Sequence, residues 1–133
     1  PSRPEIDISD GAATIRIAVR AEHFHAAGSL HGSVYFKILD DASFFAVNSR
    51  VRDRFVLTAS FTVYLLRPVT SGALIARGRV VSGGDRLWVG EAEATDQDDR
   101  LVARGSGTFM PSGLRLEQAA GYADEPTGET DDA

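Results

Sequence analysis

Residues 31–49 form the only stretch of this chain with sustained helical periodicity, and it is apolar on most of its circumference. A helix of that kind must be covered on nearly every side. With 133 residues and no second helix to do the covering, strands have to supply it. The remaining sequence reads accordingly. Residues 13–20 alternate apolar and polar, as a half-buried strand does. Residues 55–66 are rich in Val, Thr, Phe and Tyr and stop at Arg67-Pro68. Residues 73–82 and 87–95 flank Gly83-Gly84-Asp85-Arg86, a hairpin signal, and Asp96-Gln97-Asp98-Asp99 turns into residues 101–110. Turns this short make neighbouring strands antiparallel.

The expected architecture is therefore α+β, an antiparallel five-stranded sheet wrapped around one central helix. Residues 1–11, polar with two prolines, read as extended chain, residues 21–30 as a loop, and residues 50–54 as a charged turn. Ser29 is the expected N-cap of the helix. Such a sheet has two open edges. The long strand 56–66 would need cover, which pairing with its own copy about a two-fold axis provides.

Composition narrows the classes of function. The net charge of −5 is uneven: residues 117–133 carry six acidic residues and no Lys or Arg, so residues 1–116 come to about +1. The division expected is a domain over 1–116 and an acidic, weakly ordered tail over 117–133. No basic block favours nucleic acid. No segment reads as a signal peptide or a membrane span, and the expected location is cytoplasmic. The absence of cysteine excludes disulfides and a thiolate nucleophile.

The chemistry concentrates at the start of the helix and two turns along it. The run His31-Gly32-Ser33-Val34-Tyr35-Phe36-Lys37-Ile38-Leu39-Asp40-Asp41 sets a glycine where backbone N–H groups lack partners and helix partial charge is positive. Asp40 follows on a face shared with Phe36, Phe44 and Val47, where a carboxylate is costly without a purpose or a partner. Asp41 lies one turn after Lys37 and reads as half of a solvated pair. His23, His25, His31 and Asp40 are metal-ligating types, but their spacing suits a loop, and no metal is expected. No Gly-x-Ser-x-Gly elbow is present, and the Gly83-Gly84 pair belongs to a turn. Tyr35, Phe36, Phe44 and Phe45 read mainly as core, with part of the set available to line an apolar ligand pocket.

His31-Gly32-Ser33 with Asp40 on the central helix, Leu65-Leu66-Arg67-Pro68-Val69 after the next strand, and the closing Leu101-Val102-Ala103-Arg104-Gly105-Ser106-Gly107-Thr108-Phe109 together resemble the hotdog-fold acyl-CoA thioesterases of the phenylacetyl-CoA and 4-hydroxybenzoyl-CoA type. The resemblance covers roughly residues 13–110. It implies hydrolysis of an aryl- or medium- to long-chain acyl-CoA without a metal or redox cofactor. It implies Asp40 as nucleophile or general base and the Gly32 N–H as oxyanion donor, contributed by different subunits. Thr58 matches a Ser or Thr that assists the water. His25 stands where the family often has Asn or Gln, and Ser33 replaces a second glycine. His31, Ser33 and Phe36 fall where substrate would be contacted. The expected partner is a second copy of the chain, with dimers pairing further. Two other readings stay open: a hydratase or dehydratase on the same fold, disfavoured because Phe45 stands where those enzymes have histidine, and a non-catalytic acyl-thioester-binding protein, favoured by His25.

Overall fold

The computed structural model describes residues 3–20, 23 and 30–115, with only the backbone of 113–115. Strands β1 (Glu5–Ser9) and β2 (Ala12–Ala18) precede helix α1 (Gly32–Asn48). Strands β3 (Arg54–Leu65), β4 (Ala73–Ser82), β5 (Trp88–Asp96) and β6 (Leu101–Arg115) follow it. They form one antiparallel sheet in the order β1-β2-β4-β5-β6-β3. The helix lies on its concave face and packs against every strand.

The sheet has six strands where the sequence led us to expect five. The addition is β1, within the segment read as extended chain. All five of its residues are exposed, so burial writes little pattern into it. Its register with β2, from Glu5↔Arg16 to Ser9↔Ala12, holds it in place. Ser49 and Arg50, just past the helix, fasten the turn between the two strands. Gly11 N–H donates to Ser49 Oγ (2.8 Å), and Arg50 Nε donates to Asp10 Oδ1 (3.1 Å).

The helix begins at Gly32 with His31 as its N-cap residue; Ser29, the expected cap, lies outside the described residues. Strand β6 extends five residues beyond the expected end because β3 pairs with it from Leu65↔Ala103 to Arg54↔Arg115. The long strand does lie at an edge: β3 crosses to the far side of β6, leaving its other side open among the described residues. The tail at 117–133 lies outside the described residues. Among those described, no helix is long and apolar enough to cross a membrane.

Leu39, Ala42, Ala46 and Val47 of the helix are fully buried against Leu74, Ala76, Ala94, Val102 and Phe109. At the closest approach β4 carries Gly78. A Cβ added there would fall 2.3 Å from the Ala42 carbonyl oxygen, which is helix backbone and cannot swing aside. Gly78→Ala should therefore cost about 1–3 kcal/mol of stability, the usual cost of overpacking, read from denaturant midpoints. An unchanged midpoint would contradict so close a contact.

Candidate active site

The wheel of α1 separates two tasks. Positions 35, 38, 39, 42 and 46 are buried in the core, whereas Gly32, Phe36 and Asp40 look toward the open edge. Asp40 is half-buried, and Thr58 Oγ1 on β3 donates to its Oδ1 over 3.1 Å. Oδ2 makes no hydrogen bond among the described residues. Burial raises the carboxyl above its ordinary 3.8; the Thr58 bond opposes the rise, Asp41 adds to it and Lys37 lowers it. Asp41, by contrast, is paired with Lys37 Nζ at 2.9 Å, the solvated i,i+4 pair expected from its face.

Thr58 reaches the helix from a strand that changes phase beside it. The register of β3 on β6 slips between Thr58 and Ser60. Strict alternation from Thr58 would turn Ser60 and Thr62 inward. The bulge instead lets both Thr58 and Phe61 face the helix. Phe61 meets Phe36 edge-on, with centroids 5.6 Å apart at 76°, and Phe109 at 6.4 Å. Phe36 is 43% exposed, so it is not the core residue its neighbours are. Tyr35 is buried, and Phe44 and Phe45 are half-buried against one another. Phe61 was not singled out by sequence reasoning. Its only signal was its distance of three residues from Thr58, which alternation assigns to the wrong face.

At the other end of the helix face, Gly32 occupies the first helical position. The first turn contains no acidic residue, and the His31 side chain makes no capping bond. Nothing of that kind competes for the N–H groups at the helix start. A Cβ added at Gly32 would meet only Leu65 Cδ1, at an ordinary 3.7 Å. Packing within the chain therefore does not require glycine here. Beside Gly32 lies a recess of about 340 Å³ lined by Leu30, Tyr35, Leu65, Leu66, Arg67 and Pro68. Tyr35 fixes its wall: its hydroxyl accepts from Val69 N–H (2.9 Å) and donates to the Arg67 carbonyl (3.5 Å), straddling Pro68.

The remaining expected residues divide. The His31 backbone N–H donates to the His23 carbonyl (2.8 Å), which ties the loop to the helix start. Ser33 is exposed and lines a separate apolar pocket of about 380 Å³, with Ile6, Ile15, Ile17, Val34 and Ile38. His25 lies outside the described residues. Among the described residues no three metal-ligating side chains gather. The structure thus brings Asp40, Thr58 and Phe36 together, and sets Gly32 two turns away.

The model of the thioesterase superfamily matches residues 27–103, more than half of the chain, including the whole of the helix and strands β3, β4 and β5. The chain belongs to the thioesterase superfamily. Its fold is the hotdog fold of that superfamily's solved members. A conserved protein of Pseudomonas aeruginosa is 33% identical with a TM-score of 0.76, over 82% of this chain and 86% of that one. The E. coli PaaI protein from the phenylacetic acid degradation operon is 27% identical with a TM-score of 0.76, over 83% and 80%. A Streptococcus pneumoniae thioesterase protein with coenzyme A shares the fold at 23% identity and a TM-score of 0.78, over 85% and 88%. Curated relatives from Saccharolobus solfataricus and Archaeoglobus fulgidus bear esterase names. They are 34% identical over 83 residues and 26% over 103, or 62% and 77% of this chain. This thioesterase-superfamily chain spans 55% and 66% of their lengths.

The Asp40 environment makes a signed prediction. Its folded pKa is raised, so ionisation disfavours the folded state. The destabilisation is complete above the raised pKa and absent below the unfolded value. Asp40→Asn should therefore melt higher than the parent at pH 7, and the gap should close as pH falls below about 4. A gap that widens toward acid would reverse the assigned cause.

Proposed function

We propose that this protein hydrolyses acyl-CoA thioesters as a homodimer, with Asp40 and Gly32 of each site coming from different copies. The observation that carries this reading is the pairing of a half-buried carboxylate, bonded to Thr58 on one oxygen only, with an uncapped helix start whose glycine the chain's own packing does not need. The coenzyme A held by the Streptococcus pneumoniae relative supports the substrate class. PaaI's operon supports an aryl acyl group, and the exposed Phe36 against Phe61 gives such a group an aromatic wall.

The spacing argues for two chains. Gly32 and Asp40 are eight residues apart on one helix, about 12 Å along its axis. A thioester carbonyl cannot have its oxygen on one and its carbon beside the other. Within a chain, Asp40 sits at Thr58 and Gly32 at Leu65 of the open-edged strand β3. Antiparallel pairing of β3 with its copy, Thr58 opposite Leu65, sets the two-fold axis between Phe61 and Thr62. Each Asp40 then approaches the other copy's Gly32.

In each site the Gly32 N–H stabilises negative charge developing on the carbonyl oxygen. Asp40 attacks the carbonyl carbon and expels the thiolate to leave a mixed anhydride that water then hydrolyses, or it takes a proton from a water that attacks the carbonyl directly; in both routes the thiolate takes up a proton. Thr58 orients that water, and the C–S bond breaks to give a carboxylate and a free thiol. His25 is a candidate to position the water.

Gly32→Pro tests the donor cleanly. Proline is favoured at the first helical position; it removes the N–H and adds a ring, and Gly32→Ala, which adds bulk but keeps the N–H, is the control. Stability should hold while thiol release falls about a hundredfold or more. Mixing Gly32→Pro chains with Asp40→Asn chains should restore about half of wild-type activity per heterodimer, since one of two sites is then intact. Heterodimers as dead as both parents would overturn the shared site. Release of no thiol from any aryl- or fatty acyl-CoA by the parent would overturn the reading itself.

A further inference from the structure

Along α1, Val34 and Ile38 lie nearly half a turn round from Gly32 and Phe36. They face away from β3 and toward the opposite border of the sheet. Strand β2 sends Ile15 and Ile17 to the same side, since alternation turns Arg16 between them outward. Ile6 of β1 is paired opposite Ile15 and joins the group. These branched aliphatic side chains wall the pocket of about 380 Å³ that Ser33 borders. The pocket lies across the helix from Asp40 and Thr58, and outside the β3 pairing argued above.

The polar groups at its rim are not spread evenly. Arg20 N–H donates to His23 Nδ1 (3.0 Å), so that nitrogen carries no proton and the ring's N–H is on Nε2. Nε2 makes no hydrogen bond among the described residues. The His23 carbonyl takes the His31 N–H (2.8 Å), which holds this residue at the helix start, beside Ser33. Ser33 Oγ likewise makes no hydrogen bond among the described residues. Lys37, one turn beyond Ser33, gives one of its three N–H groups to Asp41 (2.9 Å). Asp41 stands a further turn along and is the one acid lining the pocket among the described residues. The donors of His23, Ser33 and Lys37 thus gather at one end of the rim, and the acid, already paired, is at the other. A pocket of this kind suits an aliphatic tail with an acceptor head. The ammonium among the donors favours a charged head, because charge-assisted bonds are the stronger ones.

We propose that this pocket binds a straight-chain aliphatic carboxylate, with its head on His23 Nε2–H, Ser33 Oγ and Lys37 Nζ and its tail along Ile6, Ile15, Ile17 and Ile38. The site stands apart from the hydrolytic reading and uses none of Gly32, Phe36, Asp40 and Thr58. It gives Ser33, expected from the sequence to contact the thioester, a different ligand.

The test titrates octanoate and octanol into the full chain by calorimetry. Octanoate should bind once per chain and more tightly than octanol. Each CH₂ added between butanoate and octanoate should tighten binding roughly threefold, as buried methylenes do. Lys37→Gln changes a side chain that is 78% exposed, so the fold should hold. It should weaken octanoate about tenfold and leave octanol unchanged. Ile6→Glu, on a strand whose residues are all exposed, should weaken both. Phe36→Ala, on the other flank of the helix, should weaken neither. No saturable binding of octanoate by the parent would overturn the site. Equal affinities for octanoate and octanol would leave an apolar groove without a head-group site, and overturn the proposal. A loss in Phe36→Ala that Lys37→Gln and Ile6→Glu do not share would put the ligand on the Asp40 side of the helix, and overturn it too.

Discussion

At Ala42 helix α1 comes so close to the sheet that β4 has room for a hydrogen and nothing larger. That contact determines much else. It draws Leu39, Ala46 and Val47 into complete burial and commits one side of the only described helix to the core. The opposite side is left for whatever is not core. Gly32, Phe36 and Asp40 occur along it at four-residue intervals, one beneath the next, because that is how a helix repeats. Holding the fold and presenting the proposed site are thus two faces of one rigid element. Such an element places a side chain more accurately than a loop can.

The Asp40 carboxyl is where those roles conflict. Half-burial disfavours its charge, and Thr58 returns only part of what solvent would give. Stability alone would favour a neutral side chain. A charge kept in a position where it weakens the fold is the pattern expected of a working group. The glycine at position 32 argues in the same direction from the opposite sign: the chain has room for a side chain there and carries none.

Much of this was readable in the sequence, for physical reasons that also explain what was not. Residues 31–49 announced the helix by their apolar periodicity, but only one face of it is buried, and not most of its circumference as expected. Residues 73–82 became β4 as read, although residues 73–76 are buried without a break and burial alternates only from there to Val80. Strand β1 escaped because its five exposed residues answer to hydrogen bonding alone. Phe61 escaped because a bulge is a property of two strands in register, and no local pattern in one of them encodes it. Asp40 and Gly32 stood out as residue types out of place. That the partner groups sit two turns apart could be counted from the sequence. That each lies against a different point of one open strand needed coordinates.

The two borders of the sheet are unequal. One is β1, five residues long, with Glu5 and Asp7 along it and its far turn tied to the helix end by Arg50 and Ser49. The other is β3, twelve residues long, stopped by Pro68 three residues past its end. A template that adds strands indefinitely needs two compatible borders, one to receive and one to offer. This sheet has a long border at one side and a short, acidic one at the other. Growth by edge pairing can therefore proceed through one addition and then has nowhere to continue, so the asymmetry acts as a chain terminator against fibre formation.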